Sequence, residues 1–194
     1  MGERLGILGG TFDPVHCGHL LLARHVLEAL HLDRVLFVPA AEPPHKTEVL
    51  TAPGHRWRMV RAAVEGHDRL EASDLELRRP GISYTVDTLR GLRGERPDDE
   101  LFLIIGADNV PELDGWHDPE GILELAAVIA GSRVEAGSLP GGAFADRVER
   151  VDTPVFDISS TEIRRRVRAG LPVRCLVPEA VEGYIADHGL YGTP

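Results

Sequence analysis

Residues 4–30 read RLGILGGTFDPVHCGHLLLARHVLEAL, and they decide the fold. Leu5–Leu8 is an apolar run of strand length, and Leu20–Leu30 places Leu, Ala and Val at helical spacing. The turn between them is spelled out in more detail than a strand-to-helix connection requires. Gly9 and Gly10 permit backbone angles closed to other residues and let a ligand approach the main chain, although such a pair also serves a plain tight turn. The stretch lacks GxGxxG, and no acidic residue ends the second strand, which counts against a hydride-transferring dehydrogenase. Asp13 before Pro14 reads as a residue that shapes the turn. His16 and His19 stand at i and i+3, so they share a face if the helix has begun there. Either alone could be a cap or a surface residue. With His25 or Cys17 as a third ligand they could hold a metal, yet no carboxylate or cysteine cluster completes such a site at familiar spacing. Together at a helix N-terminus they offer imidazole donors where the dipole already favours anions, and phosphate is the natural guest.

Working outward, apolar strands and helical patterns alternate. Val35–Val38 is a second β-rich run stopped by Pro39, Pro43-Pro44 enforces a loop, and His55–Val64 is helical. Leu70–Leu77 reads as strand and connection, Ser83–Leu92 as a helix, and Leu101–Ile105 as a buried strand ending at Gly106. Leu123–Ala130 mixes a helix end with a strand, residues 132–148 read as a long loop, and Val155-Phe156 leads as a strand end into a capped helix. Pro178–His188 closes as another helix. The alternation predicts a single α/β domain over 1–194, a Rossmann-like doubly wound parallel sheet with helices on both faces and a small C-terminal helical segment. Ligands in such sheets lie outside the carboxyl ends of the strands, where the stretches after strand one, after LFLIIG and after VFDIS fall.

The 194 residues, 43% apolar and 27% charged, suit an ordinary globular protein. No run is long enough to span a membrane and Cys17 and Cys175 lack a CxxC partner, so a cytoplasmic protein with reduced thiols and no membrane partner is expected. A net charge of −10 argues against a general nucleic-acid binder, and EIRRRVRAG lacks the partner helix of a DNA-reading motif. A small anion needs only a few local donors.

GGTFDPVHCGH (9–19) resembles the GGTFDPxHxGH signature of the HxGH nucleotidyltransferases, with Cys17 where the family often has Tyr. PPHK (43–46), ISYTVDTL (82–89), IIGADNVPELDGWHD (104–118), ISSTEIRRRV (158–167) and LVPEAVEGYIADHGLY (176–191) resemble bacterial nicotinate-nucleotide adenylyltransferases in order and spacing. GSRVEAG (131–137) departs from the Arg-Pro-Gly often found there, so no role passes to Arg133.

The resemblance implies adenylyl transfer from ATP to nicotinate mononucleotide, giving nicotinate adenine dinucleotide and pyrophosphate in NAD biosynthesis. It implies His16, His19 and Arg164 as catalytic residues. Gly9, Gly10, Thr11, Phe12, Gly18, Gly106, Asp108, Ser159, Ser160 and Thr161 would join them around ATP, the part from about 158 to 194 contributing to that site. Nicotinate mononucleotide would meet Lys46, Tyr84, Thr85, Trp116 and His117. Mg²⁺ would be held mainly by ATP, with no dedicated protein metal site, and a homo-oligomer stays open. The residues themselves agree: Ser159 or Ser160 can cap a helix with Glu162 near N3, Arg164 adds a forked donor, and a Trp in a Gly/Asp/His-rich loop can stack on a flat ring. Asp108 could equally be an N-cap, Arg165, Arg166 and Arg168 read as a solvated face, and Trp57 reads as core or boundary packing. Phosphopantetheine as acceptor, nicotinamide in place of nicotinate, and a non-catalytic nucleotide sensor are the alternatives.

Overall fold

A computed structural model describes residues 2–44, 51–132, 141–154 and 157–192. Lys46, Arg133 and Val155-Phe156 lie outside these residues. The strands are β1 (Arg4–Gly10), β2 (Arg34–Pro39), β3 (Leu70–Ala72), β4 (Glu100–Gly106), β5 (Ala127–Ser132) and β6 (Val148–Asp152). They form one six-stranded parallel sheet in the order β3-β2-β1-β4-β5-β6. The helices are α1 (Cys17–Ala29), α2 (Pro53–Val64), α3 (Thr85–Glu95), α4 (Pro119–Leu125), α5 (Ser160–Arg168) and α6 (Glu179–Asp187).

The period of two along each strand explains the two layers of helices. Leu5 and Ile7 of β1 and Leu101, Leu103 and Ile105 of β4 point to one face, where they pack with Val86 and Leu89 of α3 and Ile122 of α4. Leu8, Phe102 and Ile104 point to the other, against α1, α2, α5 and α6 through Val26, Val60, Ile163 and Val181. Strands buried on both faces cannot alternate apolar with polar, so LGIL and LFLII read as continuous apolar runs. Each fully buried Leu, Ile or Phe contributes about 1.5–3 kcal/mol.

The order in which strands are added reverses across the parallel pair β1–β4: β2 and β3 continue to one side, β5 and β6 to the other. That switch point opens a crevice beyond the carboxyl ends of β1 and β4, where ligands bind in sheets of this kind.

Three elements differ from the sequence expectation. The first helix begins at Cys17, ahead of Leu20, because His16 caps it. The stretch read as a loop to 148 ends in a short 3₁₀ turn, Ala145–Arg147, and passes into β6, in which only Val148 and Val151 are buried. β6 is an edge strand with charged residues between its two valines, so its apolar signal is thin. Finally, Ala107–Gly115 is a 3₁₀ helix instead of a loop. Ala107, Val110 and Leu113 are its buried residues, three apart, as a helix of three residues per turn requires.

Candidate active site

The turn after β1 is built from its glycines outward. A Cβ on Gly9 meets no atom within 4 Å among the described residues, so its bareness opens space for something other than the protein. A Cβ on Gly10 would press on the Phe12 ring at 3.1 Å. Phe12 takes a left-handed φ of 49° and sends its ring into the core, edge-on to His19 at 5.0 Å, which leaves its backbone as what it can present. The chain then passes the cis Asp13–Pro14 bond and reaches His16.

His16 is the N-cap of α1 and is buried, while His19 occupies N3. The His16 amide donates to His19 Nδ1 at 3.2 Å, and the two rings stack with centroids 3.6 Å apart. Gly18 makes this possible, since a Cβ there would lie 3.1 Å from His16 Nδ1. The helix thus opens with two imidazoles in place of a Ser and a Glu. The start of α1 and both imidazoles line one small cavity together with Gly106, Gly131 and Thr153.

Beside it lies a larger cavity of about 350 Å³, within the size range of small-molecule sites. Gly9, Gly10 and Thr11 form one wall, Pro43 and Pro44 a second, and Tyr84, Thr85, Trp116 and His117 a third. Trp116 ends the 3₁₀ helix and continues its spacing of three, so its indole is partly buried against the β4–β5 core while still lining the cavity. Tyr84 and His117 pack ring against ring at 4.3 Å. Thr85 opens α3, so its amide is among the donors an α-helix leaves without an intrahelical partner. Trp57 does not line this cavity: it lies on α2 with the Arg61 guanidinium 5.9 Å over its ring.

Asp108 is exposed in the first turn of the 3₁₀ helix, which Gly106 caps, so the N-cap reading of Asp108 fails. Its carboxylate folds over Gly106, where a Cβ would meet Oδ1 at 2.3 Å. In α5, Ser159 is the N-cap and accepts from the Glu162 amide at 3.2 Å. Ser160 donates to the Pro14 carbonyl and Arg164 to the Asp13 carbonyl, both at 2.9 Å, and Arg164 also reaches Thr161 Oγ1 at 3.4 Å. One turn of α5 therefore grips the backbone that leads into His16.

Three groups escaped the sequence reading. Arg56, buried on α2, donates to the carbonyls of Thr11, Ala40, Ala41 and Thr51, tying the ends of β1 and β2 together. Burial lowers its pKa, and the Asp13 charge opposes this. Its position on the same helix face as Val60 and Ala63 was the available signal. Glu76, buried at the wall of the larger cavity, accepts from Thr88 Oγ1 at 2.6 Å. Tyr191 donates to Asp13 Oδ1 at 2.6 Å while the Thr51 amide donates to Oδ2 at 3.1 Å, so the turn-shaping Asp13 is itself held from two distant segments.

The cytidylyltransferase-like family model matches residues 7–166, which span both cavities, and by class the chain is a nucleotidyltransferase. A Thermus thermophilus protein named "Probable nicotinate-nucleotide adenylyltransferase" is 49% identical over 97% of this chain and 99% of its own length. One of the same name from Synechococcus sp. is 42% identical over 99% and 96%. The chain belongs to the nicotinate-nucleotide adenylyltransferase family. The fold is also that of the Plasmodium falciparum nicotinic acid mononucleotide adenylyltransferase complexed with NaAD, with a TM-score of 0.79, 18% identity and 97% of each chain covered.

Proposed function

We propose that this protein transfers the adenylyl group of ATP to nicotinate mononucleotide, releasing pyrophosphate, in NAD biosynthesis. The observation that carries the reading is the pair of adjoining cavities at the ends of β1 and β4, one lined by the histidines and one by Trp116 and the start of α3. The triphosphate is assigned to the first. Its partners are His16, His19, the amides of the Gly9–Phe12 turn, Gly18, Gly106 and Arg164, with Ser159, Ser160, Thr161 and Asp108 around them and the part from about 158 to 194 contributing to that site. The pyridine ring is assigned to the second, stacked on Trp116, its carboxylate received by the amides near Thr85 and His117 beside Tyr84. Lys46 follows the two prolines of that wall and is assigned to the acceptor phosphate.

The acceptor's 5′-phosphate attacks the α-phosphorus in line. Its second pKa is about 6, so it arrives ionised and needs no protein base. The protein's part is to position both phosphates and to stabilise the charge that moves onto the departing pyrophosphate. Among the described residues no group of three or more His, Cys, Asp or Glu could hold a metal ion, and the donors gathered here suit phosphate oxygens better than a hard cation. Mg²⁺ is assigned to ATP, where it would neutralise phosphate charge. No helix of the described residues is long and apolar enough to cross a membrane, and we place the reaction in the cytoplasm.

The test is pyrophosphate release with ATP and Mg²⁺, offering nicotinate mononucleotide, nicotinamide mononucleotide and phosphopantetheine in parallel. Preference for the first is expected. Preference for either of the others overturns the acceptor assignment, and no release with any of them overturns the reaction.

A further inference from the structure

The chain has two cysteines, at positions 17 and 175, and the proposed reaction uses neither. Folding brings them together. Cys17 is the first residue of α1, half-buried and next to His16, whereas Cys175 is exposed on the turn between α5 and α6. The Cys17 amide donates to the Leu176 carbonyl at 2.9 Å, so Cys175 is one Cα step, about 3.8 Å, from a residue in direct contact. A bridge between Arg174 and Val177 closes the turn around Cys175. The Cys17 thiol is pushed above its ordinary pKa, by burial first and by the nearby Cys175 sulfur second, so each thiol lies within the other's field.

We propose that Cys17 and Cys175 are an oxidation site: they form a reversible intramolecular disulfide at the helix start that carries His16 and His19. The oxidant is a peroxide. It transfers one oxygen to the exposed Cys175 sulfur, giving a sulfenic acid, and is itself reduced to water or an alcohol. The Cys17 sulfur then attacks Cys175, the S–O bond breaks, water leaves and the S–S bond forms. In sum two S–H bonds are lost, one S–S bond is made, and two electrons pass to the peroxide. The order follows from exposure, since Cys175 is open to solvent and meets the peroxide first, while the half-buried Cys17 resolves the intermediate. In a reducing cytoplasm the resting pair is the dithiol. Closing the bond draws the first residue of α1 toward the turn, and that residue lies between His16 and Gly18, whose lack of a side chain leaves room for the His16 ring. The bond itself does not depend on the reaction proposed above; its effect on turnover does.

The experiment treats the full chain, and Cys175→Ser in parallel, with a small excess of hydrogen peroxide. Free thiols are counted, digests are searched for linked peptides, and pyrophosphate release is followed before and after dithiothreitol. The expected result is loss of both thiols, a peptide containing Cys17 linked to one containing Cys175 within a single chain, and turnover lower by roughly 10- to 100-fold, the scale on which a displacement of about 1 Å acts. Dithiothreitol should restore that turnover, and Cys175→Ser should keep its own under peroxide. Sulfinic acids with no linked peptide, or links only between chains, overturn the disulfide. A linked peptide with undiminished turnover overturns its coupling to the site. If the reduced protein releases no pyrophosphate at all, the proposed reaction fails, while the peptide map still decides the disulfide.

Discussion

His19 stands one helical turn behind the cap, its ring stacked on His16 at 3.6 Å and its Nδ1 already taken by the His16 amide. The proposed reaction assigns its ring to a phosphate of ATP. His19→Ala should therefore act on the transition state, lowering kcat by roughly 10²–10³, or about 2.7–4 kcal/mol, the scale of one oxyanion donor. The KM for the mononucleotide should change far less, and steady-state kinetics separate the two. An unchanged kcat would remove His19 from the chemistry. Gly18 makes a finer test, because it has no side chain of its own to lend to the chemistry. Gly18→Ala places a methyl group 3.1 Å from His16 Nδ1 and must tilt that ring. The expected outcome is a large loss of kcat with little change in melting temperature. Equal loss of both would mean that the glycine serves the fold alone.

The N-terminus of α3 owes its position to side chains outside the cavity's floor. Thr88 donates to the buried Glu76 carboxylate at 2.6 Å, and Arg79 reaches the Tyr84 carbonyl and Thr88 Oγ1 at 3.4 Å. Thr88→Val removes the hydroxyl and leaves Glu76 short of a donor, a loss of about 1–3 kcal/mol of stability. Because the helix start is assigned to the pyridine carboxylate, the KM for nicotinate mononucleotide should rise more than the KM for ATP. Equal changes would detach this brace from the acceptor site. Elements of this sort mark the limit of what the sequence discloses. The buried strands were plain in LGIL and LFLII, since burial on both faces leaves nothing polar in the run. The 3₁₀ helix was also written, as Ala107, Val110, Leu113 and Trp116 at intervals of three, but that period is seldom sustained and does not match the 3.6 sought in helices. Arg56 and Glu76 were illegible as a pair of anchors, because a charged residue is solvated far more often than buried and only the folded loops supply its partners. The histidines and Trp116 were legible through their motifs, whereas the way α5 grips Asp13 and Pro14 spans too much sequence to be read locally.

Over the whole molecule, Asp13 joins parts of the chain that are remote in sequence, accepting from the Thr51 amide and from Tyr191. Burial first, and the bond to Asp13 second, keep the Tyr191 phenol protonated well above its ordinary range near 10. The unfolded phenol ionises first as pH rises, so this contribution to stability is complete below about pH 10 and declines above it. Tyr191→Phe should lower the unfolding free energy by about 1–3 kcal/mol near neutrality. It should also flatten the alkaline decline, which urea titrations on either side of about pH 10 would reveal. A variant whose stability falls as steeply as that of the parent would clear the phenol of the effect. The same bond fixes an order of events during synthesis. Translation delivers Asp13 a full 178 residues before Tyr191, and amino-terminal parts of a chain begin to fold first. β1 and α1 can assemble on the ribosome, but the loop between them receives its last fastening only after residue 191 has emerged. A nascent chain of this protein therefore handles nucleotides, if at all, with an unfinished grip.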